Sequence, residues 1–299
     1  MESEPEPESE SVGSAREAGQ GQTNRILGYP DDARLLIINA DDFGMCHAVN
    51  EAVFLGLTEG VVSSTSLMVP CPWAPEAMQF LRAHPEIPFA VHLTLVCDFA
   101  NYRWGPSASR DQVRSLVDPS GTFFSHDQRN EMLAQARLDE VEIEFRAQIE
   151  RVLNEGLHPS HLDWHCLADG GRDDIFALTV ALAREYHLAL RVHERGHAGD
   201  LQRDGLPTVD HGVLDSYHMT PEEKPTRYPQ LLRELPAGLS EWAVHPSLGD
   251  AEAQALEPEN WRIRRADFDF VTSSGARDIL TEEGIIVLDY HALQEAWSR

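Results

Sequence analysis

The sequence predicts a single-domain α/β protein, a closed or irregular (β/α) barrel built on parallel strands. Apolar runs of strand length alternate with helical segments about seven or eight times after residue 33, and this alternation is the pattern of βαβ units. The length of 299 residues fits, because one barrel commonly fills about 200–250 residues or more. An open doubly wound sheet is the alternative, although no glycine-rich nucleotide-binding motif follows the first strand.

Eight segments are predicted as strands from their apolar or β-branched content. RLLIINA (34–40) is the clearest of them, since a continuous apolar run is typical of a parallel strand buried on both faces. The predicted strands are 34–40, 63–69, 89–96, 158–165, 188–194, 208–213, 240–247 and 285–290.

Six segments between these strands have the apolar spacing of helices. They are 47–60, 75–84, 127–154, 173–187, 222–235 and 275–284. Residues 1–30 are poor in apolar side chains and rich in Glu, Ser, Gly and Gln, so we predict a disordered acidic tail there. The barrel domain is predicted to span residues 31–299.

The net charge of −26 argues against a nucleic-acid partner and against an anionic membrane surface. The densest basic cluster, Arg262, Arg264 and Arg265, is too short to form a binding face. No apolar run approaches the roughly 20 residues that cross a bilayer. The first residues are acidic where a secretory signal is basic. We therefore expect a soluble, cytoplasmic protein.

The four cysteines are too far apart for a C-x-x-C pair, so neither a disulfide framework nor a zinc ribbon is expected. Cys97 and Cys166 lie near histidines in the sequence. We interpret both as small buried apolar residues.

Ionisable residues collect where four of the predicted strands end. They are Asp41 and Asp42 after the first strand, His92, the group His161, Asp163 and His165, and His245 before a proline. In β/α proteins, active sites are built at this carboxyl edge of the sheet.

Asp41 and Asp42 leave the first strand together, and successive strand side chains point in opposite directions. One carboxylate can bind a metal while its neighbour takes a proton, but a turn and helix N-cap explain an isolated Asp pair better. In HLDWH, His161, Asp163 and His165 share one face of a strand, and His165 lies nearest the carboxyl edge of the sheet. Asp163 can orient a ligand histidine through the second ring nitrogen of that histidine.

The structural alternative for His92 is a hydrogen-bonded core residue, and the structural alternative for His245 is a plain strand end. Taken together, one Asp and two His on separate strand ends predict a three-ligand metal site with open positions. Asp42, His92 and His165 also fit the triad of non-haem iron oxygenases. Because those oxygenases usually have a jelly-roll fold, hydrolysis is the better hypothesis.

Five motifs carry a family resemblance that runs from Arg34 to Ala292. They are NADDFG (39–44), VHLTL (91–95), HLDWH (161–165), HPS (245–247) and RIRRADFDFVTS (262–273). In this order they resemble the YdjC-like carbohydrate deacetylase family, which includes chitooligosaccharide deacetylases.

The resemblance implies an irregular (β/α) barrel of the glycoside hydrolase/deacetylase type. It implies one divalent metal ion, Mg²⁺ or Zn²⁺, and removal of acetyl groups from N-acetylated carbohydrates. Carried over by motif, Asp42, His92 and His165 are the expected metal ligands and Asp41 the catalytic base. His245 is the expected general acid or oxyanion partner.

One departure from the family pattern lies in the HLDWH motif, where many members continue with further histidines. Here Trp164 lies inside the motif and Cys166 follows it, which puts the sugar specificity in question more than the chemistry. The alternatives to an enzyme acting on an acetylated sugar are a non-catalytic sugar-binding protein on the same barrel and the iron oxygenase. A homo-oligomer stays open.

Overall fold

A computed structural model describes residues 22–299. Within that range ten strands form two parallel sheets. The strands are β1 Arg34–Phe43, β2 Ser64–Leu67, β3 Phe89–Leu93, β4 Val96–Cys97, β5 Phe124–Ser125, β6 His161–Trp164, β7 Ala189–Leu190, β8 Val213–Asp215, β9 Gly238–Val244 and β10 Ile286–Val287.

The large sheet has eight parallel strands in the order β7-β6-β3-β2-β1-β9-β8, and β10 pairs with the beginning of β1. It curls into a half-barrel surrounded by helices, which confirms the predicted irregular barrel. Among the described residues no ladder joins the edge strands β7 and β8, so hydrogen bonding leaves the barrel open on that side. Strands β4 and β5 form a small separate pair.

Strand β1 lies inside the sheet, between β2 and β9. Its residues 34–40 pair with β9, and its two faces are covered so completely that Leu35–Ile38 are fully buried. Each such aliphatic side chain contributes about 1.5–3 kcal/mol by leaving water. The prediction of a strand buried on both faces is therefore confirmed for RLLIINA.

Twelve α-helices lie among the described residues, mostly between the strands. They are α1 Gln22–Leu27, α2 His47–Thr58, α3 Ala74–Ala83, α4 Arg129–Gln135, α5 Leu138–Asn154, α6 Asp173–Glu185, α7 Arg195–Arg203, α8 Lys224–Arg233, α9 Ala251–Leu256, α10 Trp261–Val271, α11 Ser274–Glu282 and α12 Tyr290–Trp297. The predicted helix over 127–154 is interrupted between α4 and α5, and α7, α9, α10 and α12 were not predicted. None of the helices in residues 22–299 is long and apolar enough to cross a bilayer.

The predicted tail boundary at residue 30 is wrong for residues 22–30. Helix α1 lies on the barrel with Thr23 and Asn24 buried, and the Asn24 side-chain amide donates to the carbonyls of Pro30 and Ala33 at 2.9 Å each. Polar side chains that satisfy backbone carbonyls hold this segment, so its low apolar content misled the composition argument. Residues 1–21 lie outside the described residues, and the prediction of a disordered tail there is untested.

Candidate active site

The acidic pair at the end of β1 sits on an irregular stretch of backbone. The pairing of β1 with β2 shifts register between Ala40 and Phe43, and Asp42 has a φ of 68°. This left-handed turn breaks the strict alternation expected of a strand. As a result, the carboxylates of Asp41 and Asp42 both come within reach of His92. Gly44 completes the turn with a φ of 94°, where a Cβ would lie 3.1 Å from the Cα of Ala74.

Asp42, His92 and His165 come together as the sequence predicted. The Asp42 Oδ1 lies 3.1 Å from Nδ1 of His165 and 3.6 Å from Nε2 of His92. All three side chains are buried, and their ligand atoms lie within 4.8 Å of one another. One carboxylate and two imidazoles at this separation can share a single cation.

Each of the two histidines is held from behind by another carboxylate. Nδ1 of His92 lies 2.8 Å from Oδ1 of Asp163, and Nε2 of His165 lies 2.7 Å from Oδ1 of Asp98. Metal-binding histidines usually donate their outer N–H to a carboxylate in this way, which fixes the tautomer and aims the other nitrogen at the metal. The residues present therefore fit a bound cation. The sequence singled out Asp163 as a partner of a ligand histidine, and it contacts His92; Asp98 was not singled out.

Asp41 faces a different set of partners. Arg191 binds it through both terminal nitrogens, at 2.8 and 2.9 Å, and the side-chain amide of Asn39 donates to it at 2.7 Å. Burial alone would raise the pKa of the Asp41 carboxyl, but the charge and hydrogen bonds of Arg191 outweigh burial and hold the pKa below its ordinary value. Asp41 is thus a carboxylate next to the candidate metal ligands.

Arg191 is fully buried just beyond β7 and crosses the interior of the barrel. Besides Asp41, it contacts Asp163 at 3.0 Å on β6 and Glu241 at 2.7 Å on β9. Burial disfavours a charged guanidinium, yet the three carboxylates raise the pKa of Arg191 well above its ordinary value. Arg191 therefore links the end of β7 to β1 and β9, two strands with which β7 forms no backbone ladder.

Arg264 of α10 holds the second oxygen of Asp42. Its Nη1 lies 2.7 Å from Oδ2 of Asp42, and its Nε lies 2.6 Å from Glu257. Burial opposes ionisation of Asp42, but Arg264 and the two histidines drive the pKa of Asp42 well below the ordinary value. The sequence argument treated Arg262, Arg264 and Arg265 as one basic cluster and overlooked that Arg264 is buried in the site.

His245 follows β9 and faces Asp41. Its Nε2 lies 4.0 Å from Oδ2 of Asp41, and its Nδ1 lies 2.9 Å from the hydroxyl of Ser216. The ring is only slightly exposed. The predicted base and the predicted acid are therefore neighbours.

One sequence interpretation fails here, that of Cys166, and His161 lies outside the candidate site. His161 is fully buried and stacks on Tyr290 with a centroid distance of 3.4 Å, away from the Asp42 cluster although it shares a strand with Asp163. Cys97 is buried as expected, but Cys166 is exposed, with its Sγ 3.4 Å from Nε2 of His165. Cys166 has a φ of 58°, and the chain turns outward there as it leaves β6.

Arg191 and Arg264, like Asp98, are functional candidates that sequence reasoning missed. The signal for Arg191 was a lone cation inside the apolar run LALRVHE, where burial demands a counter-charge. The signal for Arg264 was its place in the motif RIRRADFDFVTS. Trp104, Trp164 and Trp242 are all buried in the core, so they expose little ring surface on which a sugar could stack.

The model of the YdjC-like protein family matches residues 35–282. The chain belongs to this family. Among curated family relatives, a carbohydrate deacetylase of Enterococcus faecalis is 32% identical over 86% of this chain and 97% of its own length. A carbohydrate deacetylase of Thermoanaerobacter pseudethanolicus is 28% identical over 87% of this chain and its own full length.

A solved family structure agrees with the fold. It is a protein of Enterococcus faecalis described as a cellobiose-phosphate cleavage protein, with a TM-score of 0.73 and 29% sequence identity. The match covers 87% of this chain and 99% of the other. The likeness in fold therefore extends over most of the chain.

Proposed function

We propose that this protein is a metal-dependent carbohydrate deacetylase, a hydrolase that cleaves the amide bond of N-acetylated sugars. The observation that carries the proposal is the pairing of two clusters at one sheet edge: Asp42, His92 and His165 beside Asp41 and His245. The relatives named carbohydrate deacetylases support the same reaction. Amide hydrolysis needs a base for water and an acid for the leaving amine, and both groups are present.

Asp42, His92 and His165 are the residues that would hold the metal. A divalent cation bound there would act as a Lewis acid on the amide carbonyl and on water. Two imidazoles and one carboxylate favour Zn²⁺ over Mg²⁺, because Mg²⁺ prefers an all-oxygen ligand set. The outer carboxylates of Asp98 and Asp163 support this assignment, since they leave the inner nitrogens free to bind.

Asp41 is proposed as the general base that takes the proton of the attacking water. Arg191 and Asn39 hold its carboxylate at 2.7–2.9 Å, so the group cannot rotate out of reach. The lowered pKa keeps Asp41 ionised at neutral pH, which is the form that can accept a proton.

His245 is proposed as the acid that returns a proton to the leaving amine. Its Nε2 lies 4.0 Å from Asp41, so the base and the acid can reach the same substrate group. The acetyl group and its nitrogen would lie between these side chains and the three proposed metal ligands.

Chitooligosaccharide-like sugars are the proposed substrates. The two departures from the family motif, at Trp164 and Cys166, bear on the choice of sugar. Trp164 is buried against Phe176, whereas Cys166 is exposed, so Cys166 is the one of the two that a sugar could contact. A cytoplasmic location stays a prediction from the sequence, and the oligomeric state stays open.

The test is acetate release from N,N′-diacetylchitobiose by the full chain, after metal removal and after addition of Zn²⁺ or Mg²⁺. We expect activity that a chelator abolishes and Zn²⁺ restores. Sugar binding without acetate release would favour the sugar-binding alternative. Turnover that depends on O₂ and Fe(II) would favour the oxygenase. Either of these two results would refute the proposal.

A further inference from the structure

A chain of buried hydrogen bonds lies behind His245. The hydroxyl of Ser216, just after β8, lies 2.9 Å from Nδ1 of His245 and donates to Oδ2 of Asp267 at 2.6 Å. Ser216 and Asp267 are both fully buried. This chain is separate from the groups that hold the proposed metal ligands.

Asp267 has no free acceptor position. Its Oδ1 accepts from Nζ of Lys224 at 2.7 Å and from the hydroxyl of Tyr228 at 2.6 Å. Its Oδ2 accepts from Ser216 and, at 2.9 Å, from the backbone N–H of His245. The partner cation, Lys224, is the only lysine of the chain and is fully buried.

The direction of the hydrogen bond between Ser216 and His245 follows from these contacts. A carboxylate only accepts hydrogen bonds, and a serine hydroxyl has one hydrogen to donate. Since that hydrogen points to Asp267, the Ser216 oxygen accepts from Nδ1–H of His245. We infer that Ser216 and Asp267 act as positioning residues that fix His245 in the tautomer with Nδ1 protonated, so that Nε2 is its only proton-exchanging atom.

This inference deepens the proposed function and rests on it for its catalytic meaning. With Nδ1–H committed to Ser216, a neutral His245 has a lone pair on Nε2 and has no proton to give there. It can protonate a leaving amine only after Nε2 has itself gained a proton. Nε2 is the nitrogen that faces Asp41, at 4.0 Å, which is the side where we place the substrate.

The other groups around His245 do not compete for Nδ1. Asp215 Oδ1 lies 3.9 Å away, beyond hydrogen-bond distance, and accepts from the backbone N–H of Tyr217 at 2.8 Å. The Tyr217 ring meets His245 edge-on at a centroid distance of 5.1 Å. Arg264 lies over the same ring, with its Cζ 5.1 Å from the ring centre.

The tautomer can be measured without substrate. In the full chain labelled with ¹⁵N-histidine, long-range ¹H–¹⁵N spectra distinguish Nδ1–H from Nε2–H, and a His245→Gln variant identifies the signal. We expect neutral His245 as Nδ1–H in the wild type and in Asp215→Asn, the matched control. Ser216→Ala removes the acceptor and should shift the signal toward Nε2–H, while Ser216→Thr keeps a hydroxyl and should restore Nδ1–H.

Kinetics add a second readout. For Ser216→Ala we expect kcat to fall about 10–100-fold with KM unchanged, and Ser216→Thr to recover most of that loss. Wild-type His245 in the Nε2–H form, or an unchanged tautomer in Ser216→Ala, would overturn the inference. If the wild type releases no acetate, the proposed function fails, but the spectra still decide whether Ser216 and Asp267 set the tautomer of His245.

Discussion

Two buried histidines in the same barrel have opposite environments. His92 on β3 pairs in register with Asp163 on β6, whereas His161 lies two residues earlier on β6, opposite Ala90. His92 faces Asp42 and Asp163 at 3.6 and 2.8 Å. His161 stacks on Tyr290, and its Nε2 has no hydrogen-bond partner among the described residues.

The two pKa values move in opposite directions. Burial disfavours the charged form of both rings, but Asp163 and Asp42 overcome it at His92 and raise its pKa to about 9. At His161 burial dominates and lowers the pKa to about 3. The barrel interior thus has two layers, two residues apart along β6. The upper layer, the rim, holds the charged groups Asp41, Asp42, His92, Asp163 and His165. The lower layer, the floor, holds His161, Glu241 and Tyr290.

The largest effect is expected at the rim, from Asp41→Asn. The amide is isosteric with the carboxylate but accepts no proton from water, so kcat should fall about 10²–10⁴-fold. Bound metal, measured by elemental analysis, should stay at the wild-type level because Asp41 is not a proposed ligand. An Asp41→Asn variant with full turnover would remove Asp41 from the role of base.

Arg191→Met tests the connection between rim and floor. It leaves the carboxylates of Asp41, Asp163 and Glu241 without their shared cation. The free energy of unfolding in urea should fall by about 3–5 kcal/mol. The matched control is Arg146→Met, which breaks a surface pair with Glu185 and should cost about 1 kcal/mol or less. Equal costs for both variants would contradict the comparison.

Asp98→Asn tests the contact that holds His165 on the side away from Asp42. Asp98 holds Nε2 of His165, so its loss should weaken metal binding about 10–100-fold in a chelator competition. Cys166→Ser, a change next to the same nitrogen, is the control and should leave the affinity within about twofold. An unchanged affinity in Asp98→Asn would mean that Asp98 does not orient the ligand.

His161→Phe tests the floor. Because the folded-state pKa of about 3 lies below the ordinary 6.5, the unfolded chain binds the extra proton as the pH falls below about 6.5. His161 should therefore cost the wild type up to about 1.4 kcal/mol of stability per pH unit in that range. Phe keeps the stacking ring on Tyr290 and removes this titration. Urea unfolding at pH 6 and 4.5 should give a smaller loss for the variant, and equal losses would contradict the assignment.

Much of the fold was predictable because buried parallel strands are continuous apolar runs. RLLIINA, FAVHLTLV and SEWAVHPS were all predicted as strands that end near ionisable residues, and the structure brings those ends to one edge. The polar segments were harder. Helix α1 is short and polar and helix α10 is rich in charged residues, and side chains or backbone groups of both make hydrogen bonds and ion pairs with distant elements.

The sequence by itself determined the barrel class, the family, and the grouping of Asp41, Asp42, His92, His165 and His245. Periodicity and motif spacing are local properties, and they suffice when active-site residues follow the ends of neighbouring strands. Only the tertiary structure decided which partners hold them. Arg191 reaches Asp41 across 150 positions, Arg264 reaches Asp42 across 222, and Ser216 reaches Asp267 across 51. Such pairings depend on where the folded chain places two charges, because their energy comes from distance and burial and not from order in the chain.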